Sequence, residues 1–177
     1  MKNIDTSALT EALTTDKVVC LHGADAMGLT ALALDTVLDM AGAGQKVVYM
    51  ACEGEWQLSG ILTRLGKARH LGQIKGLFVL PKAINMLKPA NVDALANVIA
   101  RKVGTPSLIV LDCLAYCFGA DELNPLEMAA FVANLNRLQE MTASHVLLLH
   151  RTGSASVRGI RSTAVPPEGM TLVASAA

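Results

Sequence analysis

The chain has 177 residues, of which 52% are hydrophobic and 17% are charged, and its formal net charge is zero. This composition excludes a disordered chain and is sufficient for a single domain, which we expect to span residues 1–177. The balanced charge gives no overall basic field that would attract nucleic acid. The N-terminal residues lack the apolar core of a signal peptide, and no apolar run reaches the ~20 residues of a membrane span. The sequence therefore predicts a soluble, cytoplasmic protein.

Short apolar runs alternate with helical patterns along the chain. Strands are predicted at 18–21, 46–51, 77–80, 108–111, 146–149 and 170–174, and helices at 30–40, 56–68, 92–103 and 125–141. Nearly all-apolar strands that alternate with helices are typical of an α/β fold in which helices cover both faces of a mostly parallel sheet. Because ligands bind at the carboxyl ends of the strands in such sheets, the residues that follow each strand are the candidates for a site.

The first strand is followed by a glycine-containing segment, GADAMGLT at 23–30. It has the spacing of the phosphate-binding loop G-x-x-x-x-G-K-[ST], with Gly23, Gly28 and Thr30 in place and Leu29 where the pattern has lysine. In such a loop, backbone N–H groups and the following helix N-terminus bind phosphates, and the hydroxyl ligates Mg²⁺. An ordinary glycine turn between a strand and a helix would give the same pattern.

Acidic and histidine residues follow three other strands. Asp112 comes directly after LIVL, where a metal-binding acid would lie beside Thr30, although an acid there can also simply cap a strand. Glu53 follows the second strand and could deprotonate a water that attacks a γ-phosphate. Glu55 competes for that role, and both could be turn residues that face solvent. His150 could hydrogen-bond a γ-phosphate, but a lone histidine at a strand end is more often structural.

The chain has four cysteines, which lie in or beside predicted strands. No pair has C-x-x-C spacing, so neither a zinc site nor a redox motif is indicated. We expect reduced core thiols at all four positions. They are Cys20, Cys52, Cys113 and Cys117.

Taken in order, these segments resemble the RecA-type ATPases, most closely the branch that contains the plasmid hexameric helicase RepA and related bacterial and phage ATPases. The likeness covers roughly residues 15–165 and includes the segments 49–54 (YMACEG), 79–89 (VLPKAINMLKP), 108–119 (LIVLDCLAYCFG), 121–124 (DELN) and 146–153 (VLLLHRTG). The resemblance implies a three-layer α/β/α RecA-like P-loop NTPase fold. It also implies ATP or ADP and Mg²⁺ as cofactors, assembly into a homo-oligomer or with a partner ATPase, and a link to DNA replication or helicase function.

The resemblance assigns roles to particular residues. Glu53 would be the catalytic base, His150 the γ-phosphate sensor, and Asp112 the acid that holds the metal together with Thr30. The loop that contacts the nucleotide would comprise Gly23, Ala26, Met27, Gly28, Leu29 and Thr30.

A nucleic-acid contact is implied by the resemblance alone. Arg158 and Arg161 lie in a segment similar to the part of ring helicases that contacts single-stranded DNA. The aromatic content of 3% offers few rings on which bases could stack. Trp56 and Tyr116 are the residues to consider, and we expect Tyr116 to pack in the core.

Several positions depart from the family pattern. Arg151 stands where a second histidine is common, Ser154 stands where a lysine is frequent, and the Arg161 segment lacks an expected glycine. After Thr163 only the strand predicted at 170–174 remains, so the fold is expected to be truncated at its C-terminus relative to the family.

Leu29 is the departure with the largest chemical consequence. A lysine–phosphate contact is worth about 1.5 to 3 kcal/mol, whereas leucine would point an apolar side chain toward the oxygens. We therefore expect weak hydrolysis or none unless another cation substitutes, and Arg151 is the nearest candidate. Two functional classes follow: a nucleotide-binding ATPase-family protein, or a catalytically inactive interaction or regulatory protein that no longer binds nucleotide.

Overall fold

The structure, a computed structural model, describes residues 7–24, 26–54, 58–60, 74–120, 124–151 and 170–174. The strands in these ranges are β1 (Val18–Gly23), β2 (Val47–Ala51), β3 (Leu77–Leu80), β4 (Leu108–Asp112), β5 (His145–Arg151) and β6 (Thr171–Ala174). The helices are α1 (Ser7–Thr15), α2 (Ala26–Gly42), α3 (Pro89–Lys102), α4 (Leu114–Phe118) and α5 (Pro125–Thr142). Residues 58–60 are also helical, while the rest of the helix predicted at 56–68 lies outside the described residues.

The six strands form one parallel sheet in the order β3-β2-β4-β5-β1-β6. Helices α3, α4 and α5 pack on one face of the sheet, and α1 and α2 pack on the other. In β1, β2 and β4 the side chains are buried on both faces, which explains why these strands read as continuous apolar runs. The predicted α/β class with a parallel central sheet is confirmed.

The strand order brings the candidate residues to one edge. Strand β5 lies between β1 and β4, and β4 pairs with β2. In register, Gly23 is beside Arg151, while Asp112 is beside Ala51 on one side and Leu149 on the other. The ends of four neighbouring strands are therefore contiguous along the carboxyl edge of the sheet.

Helix α2 begins earlier than the sequence pattern predicts. It starts at Ala26, so that residues 26–29, predicted as part of a loop, belong to its first turn. It ends at Gly42, where the sequence indicates a stop, and Gly44 follows with a φ of 81° and its N–H donated to the Ala41 carbonyl at 3.0 Å. A left-handed glycine after the last turn is a common helix terminator.

Two helices are absent from the predicted pattern. Helix α1 is short and buries Leu9 and Ala12 against β1 and β6. Helix α4 has five residues and follows β4 with only Cys113 between them. The predicted start of α5 is confirmed, because the Asn124 side chain accepts hydrogen bonds from the backbone N–H groups of Leu126 and Glu127 ahead of a proline at the first helical position.

No helix among the described residues is long and apolar enough to cross a membrane.

Candidate functional site

Asp112, the last residue of β4, is the centre of the site. Its side chain is buried, and its Oδ2 accepts hydrogen bonds from the Thr30 hydroxyl at 3.1 Å and the Tyr49 hydroxyl at 2.8 Å. Thr30 comes from the first turns of α2 and Tyr49 from the neighbouring strand β2. The structure thus places the predicted threonine and aspartate in direct contact.

Arg151, at the end of β5, joins two acids. One guanidinium nitrogen is hydrogen-bonded to Glu53 Oε1, and another lies 3.4 Å from Asp112 Oδ1. The arginine side chain is 22% exposed, and the Glu53 and Asp112 side chains are 19% and 4% exposed. The three charges are therefore largely removed from solvent, where an ion pair is screened less than at the surface.

Glu53 is positioned by a tight turn after β2. The Cys52 N–H donates to the Asp112 carbonyl at 2.9 Å, and the Gly54 N–H donates to the Ala51 carbonyl at 3.1 Å. Gly54 has a φ of 109°, a conformation that favours glycine. This turn holds the Glu53 backbone beside the end of β4.

Burial and charge act in opposite directions on the ionisable groups. Burial raises the pKa of Asp112 above its ordinary value, although the hydrogen bond from Tyr49 and the charge of Arg151 favour the ionised form. For Arg151, burial opposes the charge, but Cys113, Asp112 and Glu53 outweigh it and raise the pKa of the guanidinium. With both carboxyls ionised, two acids face one cation, which leaves a negative charge that a further cation could balance.

The start of α2 supplies backbone donors near this edge. The first four N–H groups of a helix have no acceptor within the helix. In α2 they belong to Ala26, Met27, Gly28 and Leu29, which the sequence predicts to contact the nucleotide. Gly23, which precedes the helix, is the register partner of Arg151. A helix N-terminus of this kind suits an anion such as a phosphate.

The Leu29 side chain corrects an expectation from the sequence. It was expected to point toward the phosphate oxygens, but it is 0% exposed and packs in the apolar cluster between the sheet and α1 and α2. The helical start at Ala26 turns this side chain toward the core. Only the backbone of Leu29 can face a ligand at the helix N-terminus.

His150 is not directed to the same face as Arg151. Side chains alternate along a strand, and Leu148 belongs to the cluster under α3, α4 and α5 while Leu149 belongs to the opposite cluster. His150 therefore shares the face of Leu148 and lies beside His22 in register. Its proposed role as a γ-phosphate sensor stays a prediction, and the structure does not group it with Thr30 and Asp112 on one face.

Tyr116 is another correction. It was expected in the core, but 51% of it is exposed in the short helix α4. The charge of nearby Glu53 raises the pKa of its hydroxyl. The exposed ring therefore lies close to the acidic part of the site. Other candidates fall outside the described residues, namely Glu55, Trp56, Ser154, Arg158 and Arg161.

The cysteines are all reduced, but they are not all isolated core residues. Cys20, Cys113 and Cys117 are buried, whereas Cys52 is partly exposed. Cys52 and Cys117 have their Sγ atoms 3.1 Å apart. The spacing of the two cysteines carries no signal for this contact.

Tyr49 was missed as a site residue. In the sequence it reads as one more apolar strand position, and it lies 63 residues from the acid that it contacts. Its position two residues before the strand end, on the same face as the Asp112 side chain, is the one signal that could have identified it.

Magnesium fits the donor set in chemical type. The Thr30 hydroxyl and the carboxylates of Asp112 and Glu53 are hard oxygen donors, and Mg²⁺ usually takes one or two carboxylates and completes its shell with water and phosphate oxygens. Among the described ranges, no group of three or more histidine, cysteine or acidic residues could hold a metal by itself. Arg151 competes with a metal for both acids.

An all-parallel sheet with a glycine-bearing helix start after its first strand, and a threonine in contact with a strand-end aspartate, defines a P-loop ATPase-like domain. The comparison with protein families agrees, since the model of the AAA domain matches residues 7–157. The chain belongs to this AAA domain family. No curated protein matches the chain.

Proposed function

We propose that this chain is a RecA/RepA-like member of the family that binds ATP or ADP with Mg²⁺ at the carboxyl edge of the sheet and hydrolyses ATP slowly or not at all. The observation that carries the proposal is the position of Arg151, whose guanidinium reaches both Glu53 and Asp112. A cation thus stands at the site even though Leu29 has replaced the expected lysine. The family match and the contact between Thr30 and Asp112 add support.

The phosphates of a nucleotide and the Mg²⁺ ion have candidate partners. The N–H groups in the first turn of α2 would bind phosphate oxygens, and Thr30 and Asp112 would hold Mg²⁺, which would offset phosphate charge. A guanidinium binds phosphate with two parallel hydrogen bonds, so Arg151 can take over the charge of the missing lysine. Its register pairing with Gly23 puts it next to the segment that would contact the phosphates.

Slow hydrolysis follows from the same ion pair. The guanidinium of Arg151 occupies Oε1 of Glu53, an oxygen that would otherwise accept a hydrogen bond from water. Glu53 would therefore be open to an attacking water only when Arg151 has turned to the phosphates. Nucleotide binding and the release of Glu53 therefore depend on the same side chain, Arg151. If Arg151 stays on Glu53, the protein binds nucleotide without turnover.

The alternative is a catalytically inactive interaction or regulatory protein that no longer binds nucleotide. It is favoured by the same ion pair, because Arg151 neutralises the acids that would otherwise bind the metal.

The resemblance to ring ATPases supports assembly into a homo-oligomer or with a partner ATPase. It also supports a contact with single-stranded DNA near Arg158 and Arg161 and a role in DNA replication.

The binding experiment is a thermal shift with ATP and ADP, each with and without Mg²⁺. A ligand at 100 times its Kd stabilises the folded state by about 2.7 kcal/mol, so Mg²⁺–ATP should raise the melting temperature of the wild type. Arg151→Gln should lose the shift, and the matched variant Arg151→Lys should retain part of it. A flat response of the wild type to every nucleotide would support the inactive alternative.

Turnover is measured as phosphate release. We expect no appreciable rate from the wild type, because Leu29 replaces the motif lysine and Arg151 is engaged by Glu53 and Asp112. A rate on the order of 1 per second that disappears in Glu53→Gln would overturn this expectation.

A further inference from the structure

Two cysteines meet beside the candidate site. The Sγ atoms of Cys52 and Cys117 are 3.1 Å apart, and both thiols are reduced. Cys52 lies in the turn that follows β2, and Cys117 lies in α4. The contact therefore joins two elements that are 65 residues apart in the chain.

We propose that Cys52 and Cys117 form a reversible disulfide when the protein meets a low-molecular-weight disulfide such as oxidised glutathione. One protein thiol attacks oxidised glutathione, forms a mixed disulfide and releases one glutathione. The other protein thiol then attacks the protein sulfur of that mixed disulfide and releases the second glutathione. Two protein thiols are oxidised, and one glutathione disulfide is reduced to two thiols.

Hydrogen bonds hold the backbone on both sides of the contact. A disulfide has an S–S length of about 2.05 Å, so the sulfur atoms must approach by about 1 Å. The Cys52 N–H is bonded to the Asp112 carbonyl, and the Cys117 carbonyl accepts the Met86 N–H at 2.7 Å. Bond formation therefore needs rotation of two side chains and little movement of the chain.

The other cysteines are poorer partners. Cys113 belongs to the apolar cluster on the α1 and α2 side of the sheet, whereas Cys117 belongs to the cluster on the opposite side. Cys20 is fully buried within β1. Cys52 is the partly exposed member of the set, so a soluble reagent reaches it first.

The attacking species in thiol–disulfide exchange is the thiolate, so mildly alkaline solution is the condition for the test.

The bond would connect α4 to the turn that carries Glu53. Cys52 directly precedes Glu53, so oxidation would restrict the backbone of the residue that binds Arg151. The chemistry of the two thiols does not depend on nucleotide binding, and its test measures no nucleotide.

The test treats the full chain with oxidised glutathione at mildly alkaline pH, blocks the remaining thiols and maps the peptides by mass spectrometry. Digestion with trypsin and chymotrypsin separates Cys113 from Cys117, because Tyr116 lies between them. We expect a peptide that links Cys52 to Cys117 and that disappears on reduction. The melting temperature of the oxidised protein should rise by about 5 °C.

Two variants provide matched controls. Cys113→Ser should keep the link between Cys52 and Cys117, whereas Cys117→Ser should give only a glutathione adduct at Cys52 and no rise in melting temperature. A wild-type protein that carries only the adduct at Cys52, that links either cysteine to Cys113, or that keeps four unmodified thiols would overturn the proposal. Since these outcomes are read in the wild type, the test holds even if a variant fails to fold.

Discussion

The start of α2 and the end of β5 differ in whether they contribute a positively charged side chain to the candidate site. At the start of α2, Leu29 takes the place of a lysine and buries its side chain in the core. At the end of β5, Arg151 extends to two acids at the edge of the sheet. The first position contributes packing and the second contributes charge. A positive charge is therefore present at the carboxyl edge of the sheet, although Leu29 supplies none.

The largest expected effect comes from placing a lysine at position 29, at the start of α2. Leu29→Lys would restore the motif but place an ammonium in a fully buried apolar position, so we expect the free energy of unfolding to fall by about 3 to 5 kcal/mol. From the sequence alone the same substitution would be expected to raise nucleotide affinity, and the buried side chain changes that expectation. Urea denaturation measures the effect, with Leu29→Met as the size-matched control. Wild-type stability in Leu29→Lys would mean that the side chain can reach the edge of the sheet.

A smaller loss in the free energy of unfolding is expected when the Arg151 cation at the end of β5 is removed. Arg151→Met leaves Glu53 and Asp112 facing each other without a cation, and we expect a loss of about 2 to 3 kcal/mol at neutral pH. Arg137→Met is the matched control, because Arg137 makes a two-pronged ion pair with Asp93 at an exposed site, where such pairs contribute little. Equal losses in both variants would contradict a special role for the buried bridge.

The loss in Arg151→Met should also depend on pH. Burial raises the pKa of Asp112, so the folded state holds this proton more tightly than the unfolded state and stability falls as pH rises through that range. Removal of Arg151 removes a charge that lowers this pKa, so the variant should lose more stability than the wild type as pH rises to neutral. The difference between the two proteins should shrink on acidification. A difference independent of pH would show that the charges are not responsible.

The smallest of these effects concerns the hydroxyl that shares Asp112 with Thr30. Tyr49→Phe removes a buried hydrogen bond to a charged acceptor and should cost about 1.5 kcal/mol. The unfolding midpoint in urea measures the cost, and Tyr116→Phe at the exposed position provides the control. A cost no larger than that of the control would mean that Thr30 and Arg151 satisfy Asp112 without Tyr49.

The fold could be predicted from the sequence to a large extent, because its strands are continuous apolar runs and its helix ends carry clear signals. Asn124 and Pro125 begin a helix, and Gly42 ends one, through interactions between residues close in the chain. Helix α1 was missed because it is only nine residues long and buries two residues, Leu9 and Ala12. The early start of α2 was missed because Gly28 fits a loop motif as well as it fits a helix.

The site was less accessible to prediction because its contacts join distant positions. Arg151 lies 98 residues from Glu53 and 39 from Asp112, and no local pattern shows which of the two neighbours, His150 or Arg151, turns to the face of the acids. That choice depends on the register of β5 in the sheet. The contact between Thr30 and Asp112 could be anticipated, since a known motif joins those residue types.

The hydrogen bond between the Cys52 N–H and the Asp112 carbonyl has a consequence for timing. It fastens the turn that carries Glu53 to the end of β4, so the two acids share one rigid frame. Arg151 reaches both acids through its side chain alone, so releasing the acids requires a rotamer change at Arg151 and no movement of the sheet. A rotamer change is a local motion, whereas domain hinges need microseconds or longer. Access to the acids should therefore be governed by a local side-chain rearrangement, without the delay of a closing domain.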